Sequence, residues 1–143
     1  MKFKVLLISS LMWLGLYGTE QAQAGNVGAG VVFGDPYGLS FDFKLGNGHA
    51  IDAVVSFSGH GYVHGTYKFV YPNSIGDAGQ RMGWYWGLGA GYKFQSAYPL
   101  RGRASIGLDI PIGSTEWAVF AEGALEISSG IDLDGGLGVR YYF

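Results

Sequence analysis

Cysteine is absent from the 143-residue chain. That excludes a disulfide framework, a thiolate metal site and a lipoprotein anchor. Charge is scarce too: Asp, Glu, Lys and Arg make up 14% of the residues, against about a quarter in an ordinary domain. The formal net charge is −2 and no basic run occurs, so a phosphate-binding footprint is missing and no nucleic-acid partner is expected. The same shortage of charge argues against a disordered tail or a coiled coil. Beyond residue 24 no stretch keeps a helical period, and no apolar run is long enough for a membrane helix. What the chain has instead is 26 Gly, 10 Tyr, 9 Phe and 4 Trp. Glycine at roughly 18% is more than twice the usual share, with no collagen-like triplet. Such a composition belongs to an all-β or a membrane-embedded chain.

The first 24 residues carry an address. Lys2 and Lys4 form a basic start, Val5 to Gly18 an apolar run of 14 residues, and Ala22-Gln23-Ala24 a small-x-small cleavage pattern. A helix of that length is too short to span about 30 Å of hydrocarbon. The expectation is a secretory signal peptide over 1–24, cleaved after Ala24, and one exported domain over 25–143. Removing Lys2, Lys4 and Glu20 leaves seven bases and ten acids on that domain.

Alternation with period 2 recurs along the exported part. It predicts strands at 26–33, 39–46, 50–58, 62–71, 84–94, 100–112, 117–127 and 131–143. The breaks between them hold Gly, Pro, Asn or Ser, the residues that turns select. Breaks this short fit consecutive antiparallel hairpins, since parallel strands need crossovers of a dozen or more residues. Only 72–83 approaches that length.

The alternation also sets the environment. One face runs Val27, Ala29, Val31, Phe33, then Leu39, Phe41, Phe43, and so on to Leu137, Val139, Tyr141, Phe143, without a single charge. The other carries Asp42, Lys44, Asp52, Lys68, Lys93, Arg101, Arg103, Asp109, Glu122, Glu126, Asp132, Asp134 and Arg140, 13 of the 17 charges after residue 24. An eight-stranded barrel has an interior just wide enough for side chains to fill it. Packing all the large aromatics of the apolar face inside would overfill it. Turned inside out, the apolar face meets lipid while charged and small residues share the lumen. Gly28, Gly30, Gly87, Gly89, Gly91, Gly136 and Gly138 face inward and are expected to leave room for long Arg, Lys and Glu side chains. The predicted fold is an eight-stranded antiparallel up-and-down transmembrane β-barrel.

With both termini on the periplasmic side, Tyr71, Trp84, Trp117, Tyr141 and Phe143 fall at one edge of the outward face. Phe33, Phe57 and Phe94 fall at the other. Two such belts read as the aromatic girdles of a membrane barrel.

The chain ends Gly138-Val139-Arg140-Tyr141-Tyr142-Phe143. This resembles the terminal signal of bacterial outer-membrane barrels, with Gly138, Tyr141 and Phe143 in the signal positions; a Gly at 136, where a polar residue is usual, departs from it. More broadly, GDPYGLSFDFKL, HAIDAVVSF and DLDGGLGVRYYF resemble a family of small, for the most part uncharacterised, outer-membrane β-barrel proteins of diderm bacteria, OmpA/OmpX-like in architecture. The resemblance implies an outer-membrane location in a Gram-negative-type bacterium, outer-membrane lipids as surroundings, and the barrel assembly machinery as a partner in biogenesis. It implies no catalytic residues.

Several sites can be weighed on residues alone. Arg101, Arg103 and Arg140 against Asp109, Glu122, Glu126, Asp132 and Asp134 form the densest charge set, on the last three strands. Buried charges must be paired, so a plug of ion pairs is expected ahead of a narrow conducting pore. Ser56, Asp52 and His64 share the lumen face and invite comparison with lipid A-modifying barrel enzymes. No oxyanion hole or family motif accompanies them, so no catalytic residue is assigned. His49, His60 and His64 lack the close ligand pair of a metal site. The Gly87-x-Gly89-x-Gly91 run lies mid-strand with no helix after it, so it cannot cradle a phosphate. No cofactor is expected. The outer breaks are five residues or fewer, which leaves little for a surface ligand binder, whereas 72–83 could meet a periplasmic partner. The expected protein is a monomeric structural barrel serving membrane integrity.

Overall fold

In a computed structural model of the chain, the described residues are 25–75, 82–113 and 115–143. The expected signal peptide lies outside them. Eight strands follow one another: β1 (Val27–Asp35), β2 (Gly38–Gly46), β3 (His49–Ser56), β4 (Tyr62–Ile75), β5 (Met82–Lys93), β6 (Leu100–Pro111), β7 (Trp117–Ile127) and β8 (Ile131–Tyr142). Each pairs antiparallel with the next, and β1 pairs with β8 to close the barrel. The fold class expected from the alternation is the one found.

Local chemistry explains the tight connections. Between β2 and β3 the ladder reaches Gly46↔His49, so Asn47-Gly48 alone makes the turn. Both residues adopt positive φ, 55° and 78°, the conformation that makes Asn-Gly the preferred two-residue hairpin loop. Three residues, 128–130, join β7 to β8 after the Ile127↔Ile131 pair.

One boundary differs from expectation by more than two residues. The break predicted over 72–83 is shorter, because the β4–β5 ladder resumes at Ile75↔Met82 after a register shift beyond Tyr71. Pro72 stands in that shift. It has no N–H to give a ladder, and a bulge is where a sheet tolerates it.

Burial is inverted relative to a soluble domain. The most deeply buried side chains are Arg140, Tyr85, Thr66, Asp52 and Ser40. On the outside Leu133 is 83% exposed, Leu100 72%, Phe33 64% and Leu137 61%. Exposing that apolar area to water would cost roughly 25 cal/mol per Å². The outward aromatics meet in pairs: Tyr71 stacks on Trp84 at 4.5 Å, Phe69 on Trp86 at 4.3 Å, and Tyr141 lies edge-on to Trp117 and Phe143.

The lumen also holds rings that the charge pattern did not announce. Tyr62, Tyr85, Phe120 and Tyr142 are buried inside. They change the reading of the inward glycines. A Cβ at Gly28 would sit 2.7 Å from Tyr142, and one at Gly91, Gly107 or Gly138 would strike Tyr62, Tyr85 or Phe120. Rings thus take the room at Gly28, Gly91, Gly107 and Gly138, while a Cβ at Gly30 or Gly89 would meet backbone, one at Gly136 the Val32 side chain, and one at Gly87 the Thr66 methyl at 2.6 Å ahead of Lys68 Cγ at 3.2 Å. Flat rings fit a narrow bore and still offer hydroxyls to the charges around them.

Gly28 and Tyr142 are direct cross-strand partners, so their fit can be tested. Replacing Gly28 with Val should lower stability by about 1–3 kcal/mol, the usual cost of overpacking. Combining it with Tyr142→Ala should cost clearly less than the two single changes added together. Urea unfolding of the detergent-refolded chain measures both; strict additivity would mean the ring does not need that space.

Candidate functional site: charge networks in the lumen

Period-2 geometry sends the charged side chains of β2 through β8 to a common interior, and the register decides which of them meet. Arg103 on β6 stands directly opposite Glu126 on β7. Its Nη1 donates to Glu126 Oε1 at 3.0 Å and to Asp134 Oδ2 at 2.5 Å, and its Nη2 to Glu122 Oε1 at 2.6 Å. One planar guanidinium thus serves three carboxylates, as its forked set of donors permits. Tyr62 donates its hydroxyl to Glu126, and Tyr85 donates to Glu122 at 2.8 Å.

The β7–β8 register also places two acids, Glu126 and Asp132, directly opposite each other. Like charges in that position repel. Arg101 lies between them, its Nη1 3.4 Å from Glu126 Oε2 and 3.1 Å from Asp132 Oδ2.

A second network repeats the device. Asp42 and Asp52 face each other across β2–β3, both essentially inaccessible to solvent. Lys68 pairs with Asp42 and lies 3.6 Å from Asp52. Arg140 reaches across from β8: Nε donates to Ser40 Oγ at 2.9 Å and Nη2 to Asp52 Oδ2 at 3.4 Å. Its guanidinium lies 3.8 Å from the centre of the Phe120 ring, and Lys68 Nζ lies 4.5 Å from that of Tyr85. Tyr142 completes the set by donating to Asp42 at 3.0 Å, with Lys44 over its ring.

Six of the eight residues singled out from the charge pattern therefore come together: Arg101, Arg103, Glu122, Glu126, Asp132 and Asp134. Two do not. Arg140 belongs to the second network, and Asp109 makes no ion pair or side-chain hydrogen bond among the described residues. Asp42, Asp52 and Lys68 were visible as inward charges, but their convergence with Arg140 was not. No local signal revealed it: the two-residue Asn47-Gly48 loop alone would set Asp42 opposite Ala53, and the register shift between Lys44 and Gly46 is what brings it opposite Asp52.

The nucleophilic arrangement weighed from sequence is not assembled. Ser56 Oγ donates to the Tyr37 carbonyl at 2.9 Å and accepts from the Ser58 N–H at 3.1 Å. His64 Nδ1 is buried without a partner, its ring 5.4 Å from that of Tyr62. His49 packs on the opposite side of the wall against Tyr67 and Phe69. Among the described residues no three His, Asp or Glu converge as a metal shell.

The free space inside follows the networks. A cup of about 430 Å³ opens at the end carrying residues 57–61 and 94–99, lined by Asp35, Tyr62, Lys93, Arg101, Glu126 and Asp132. Another of about 370 Å³ opens at the end where β1 begins, beside Asp42, Lys44, Lys68 and Asp109. Between them lies about 20 Å³, ringed by Asp52, His64, Arg103, Phe120, Glu122 and Arg140.

No protein-family profile matches the chain, and no curated protein does. Among solved structures it is similar to the N-terminal β-barrel domain of Pseudomonas aeruginosa OprF, with a TM-score of 0.54 and 15% sequence identity. The match covers 85% of this chain and all of that one. At that identity the likeness is one of fold.

Removing Arg103 should be among the most damaging single changes to the lumen. Arg103→Leu leaves three carboxylates without their shared cation and should cost about 3–5 kcal/mol, the range for breaking a buried pair. Asp109→Asn, at an unpaired acid, should be neutral or slightly stabilising. Denaturant midpoints in one detergent compare the two, and equal effects would show that the pairing carries no stability.

Proposed function

We propose that the chain is an integral outer-membrane protein of a Gram-negative-type bacterium, with a structural, membrane-integrity role and a lumen closed by its own side chains. The observation that carries this reading is the inverted burial combined with the two charge networks. Apolar side chains cover the outside, while guanidinium, carboxylate and phenol groups interlock where a pore would need open bore. The 20 Å³ left between the two cups is room for about one water molecule, which supports a plug and disfavours conduction.

The same reading assigns further roles. Residues 1–24 direct export, and Gly138, Tyr141 and Phe143 present the assembly signal to the barrel machinery. Tyr71, Trp84 and Trp117 mark one membrane boundary and Phe33, Phe57 and Phe94 the other. The barrel is monomeric, and the β4–β5 connection faces the periplasm, where it is available to a partner. A second reading, surface ligand binding, is favoured by the cup of about 430 Å³ at the opposite end, where Asp35 and Lys93 have no ion-pair partner among the described residues. A lipid-modifying activity has no comparable support, because Ser56 is engaged by backbone groups and not by His64.

The test is gel migration of the refolded 25–143 chain with and without boiling, followed by planar-bilayer recording. A heat-modifiable band with β-type circular dichroism and no unitary conductance is expected. A chain that stays soluble without detergent would overturn the membrane reading, and steady single-channel currents would overturn the plug. Lipid A mass spectra from cells with and without the gene should be identical; a change in acylation would reopen the enzymatic reading.

A further inference from the structure

Two charge networks fill the lumen, and among the described residues no hydrogen bond or ion pair joins one to the other. They face each other at the waist, across the space of about 20 Å³. Four residues on its lining come from four strands: Asp52 on β3, His64 on β4, Arg103 on β6 and Arg140 on β8. Register brings the first two together, since Asp52 stands opposite Thr66 and His64 opposite Val54. None of the four is more than 6% exposed.

Each of the four keeps one buried polar atom without a partner among the described residues: Asp52 Oδ1, His64 Nδ1, Arg103 Nε and Arg140 Nη1. Three of these side chains use their remaining atoms within the networks. Asp52 Oδ2 accepts from Arg140, Arg103 gives both Nη groups to carboxylates, and Arg140 gives Nε to Ser40. A buried donor or acceptor left unmade carries the full penalty of its desolvation. Ordered water is the usual remedy inside proteins, with about three hydrogen bonds per molecule.

We propose that the waist binds one water molecule, held by these four atoms and bridging the two networks. The inference rests on the reading that the lumen is closed by its own side chains. Size and charge select the occupant. A water needs about 10–15 Å³ of such space, so 20 Å³ takes one and nothing larger. The two guanidiniums present N–H donors. Asp52 Oδ1 is an acceptor, and so is His64 Nδ1 when the neutral imidazole carries its proton on the other nitrogen. Two donors and two acceptors match the two lone pairs and two protons of a water. A halide would accept from both guanidiniums but meet the Asp52 carboxylate, and a cation would meet Arg103 and Arg140. His64, which serves no catalytic arrangement, gains a positioning role here. With the water in place, polar contacts run unbroken from one cup to the other, and the plug is one piece instead of two.

The test is a high-resolution crystal structure of the full chain purified from membranes in mild detergent, with some crystals soaked in bromide. One density peak is expected at the waist, within about 2.7–3.2 Å of at least three of the four atoms, and without anomalous bromide signal. His64→Leu removes one acceptor and fills part of the space with carbon, so it should lose the peak. Asp109→Asn, an acid away from the waist, should keep it. Heat-modifiable gel migration confirms a folded barrel for each variant, and the wild-type map decides on its own if His64→Leu does not fold. A waist without a peak overturns the bridging water while the closed lumen stands. So does a bromide peak there, or a peak unchanged in His64→Leu. A file of several waters running from cup to cup, together with steady single-channel currents, overturns the closed lumen itself, and the bridging water with it.

Discussion

The width of an eight-stranded barrel governs everything else in this molecule. Its bore takes one layer of side chains from each strand, so any long residue pointing inward must find a partner across the lumen or displace one. Arg103 and Arg140 meet that demand by lying among carboxylates, hydroxyls and ring faces. Inward Gly28, Gly91, Gly107 and Gly138 meet it from the other side, by surrendering their own volume to Tyr142, Tyr62, Tyr85 and Phe120. Charge, ring and glycine are three parts of one packing solution.

Electrostatics then explains why cations sit where they do. Two hairpins place acid directly opposite acid, Asp42 against Asp52 and Glu126 against Asp132. Left alone, each pair would weaken its hairpin. Lys68 with Arg140, and Arg101 with Arg103, turn both repulsions into shared attractions that tie neighbouring strands together and, for Arg140, link β8 across β1 to β2 and β3. Such networks are costly to desolvate, so their value lies less in raw stability than in permitting a single register. A slip by one residue would also turn every apolar side chain inward.

Seen this way, the inside of the barrel is committed to holding itself together, and the chemistry open to partners lies at its surfaces. The two mouths are polar cups separated by packed side chains. The outer wall is apolar and edged by aromatic pairs.

Strand positions, inside-out polarity and the inward set of charges were legible in the amino-acid order alone, because the period-2 rule acts between adjacent residues and needs no knowledge of the rest of the chain. The resumed ladder at Ile75↔Met82 was not legible, since Pro72 reads locally as a stop while the partner strand continues past it. The charge partners were legible only in part. Arg103 pairs mainly with its sequence neighbours on β7 and β8, so the densest charge cluster foretold it. Arg140 pairs with β2 and β3, 100 and 88 residues away. That contact exists only because β8 closes onto β1 and brings β2 and β3 within reach of a long side chain. Alternation decides which way a residue faces; closure of the barrel decides what it meets there.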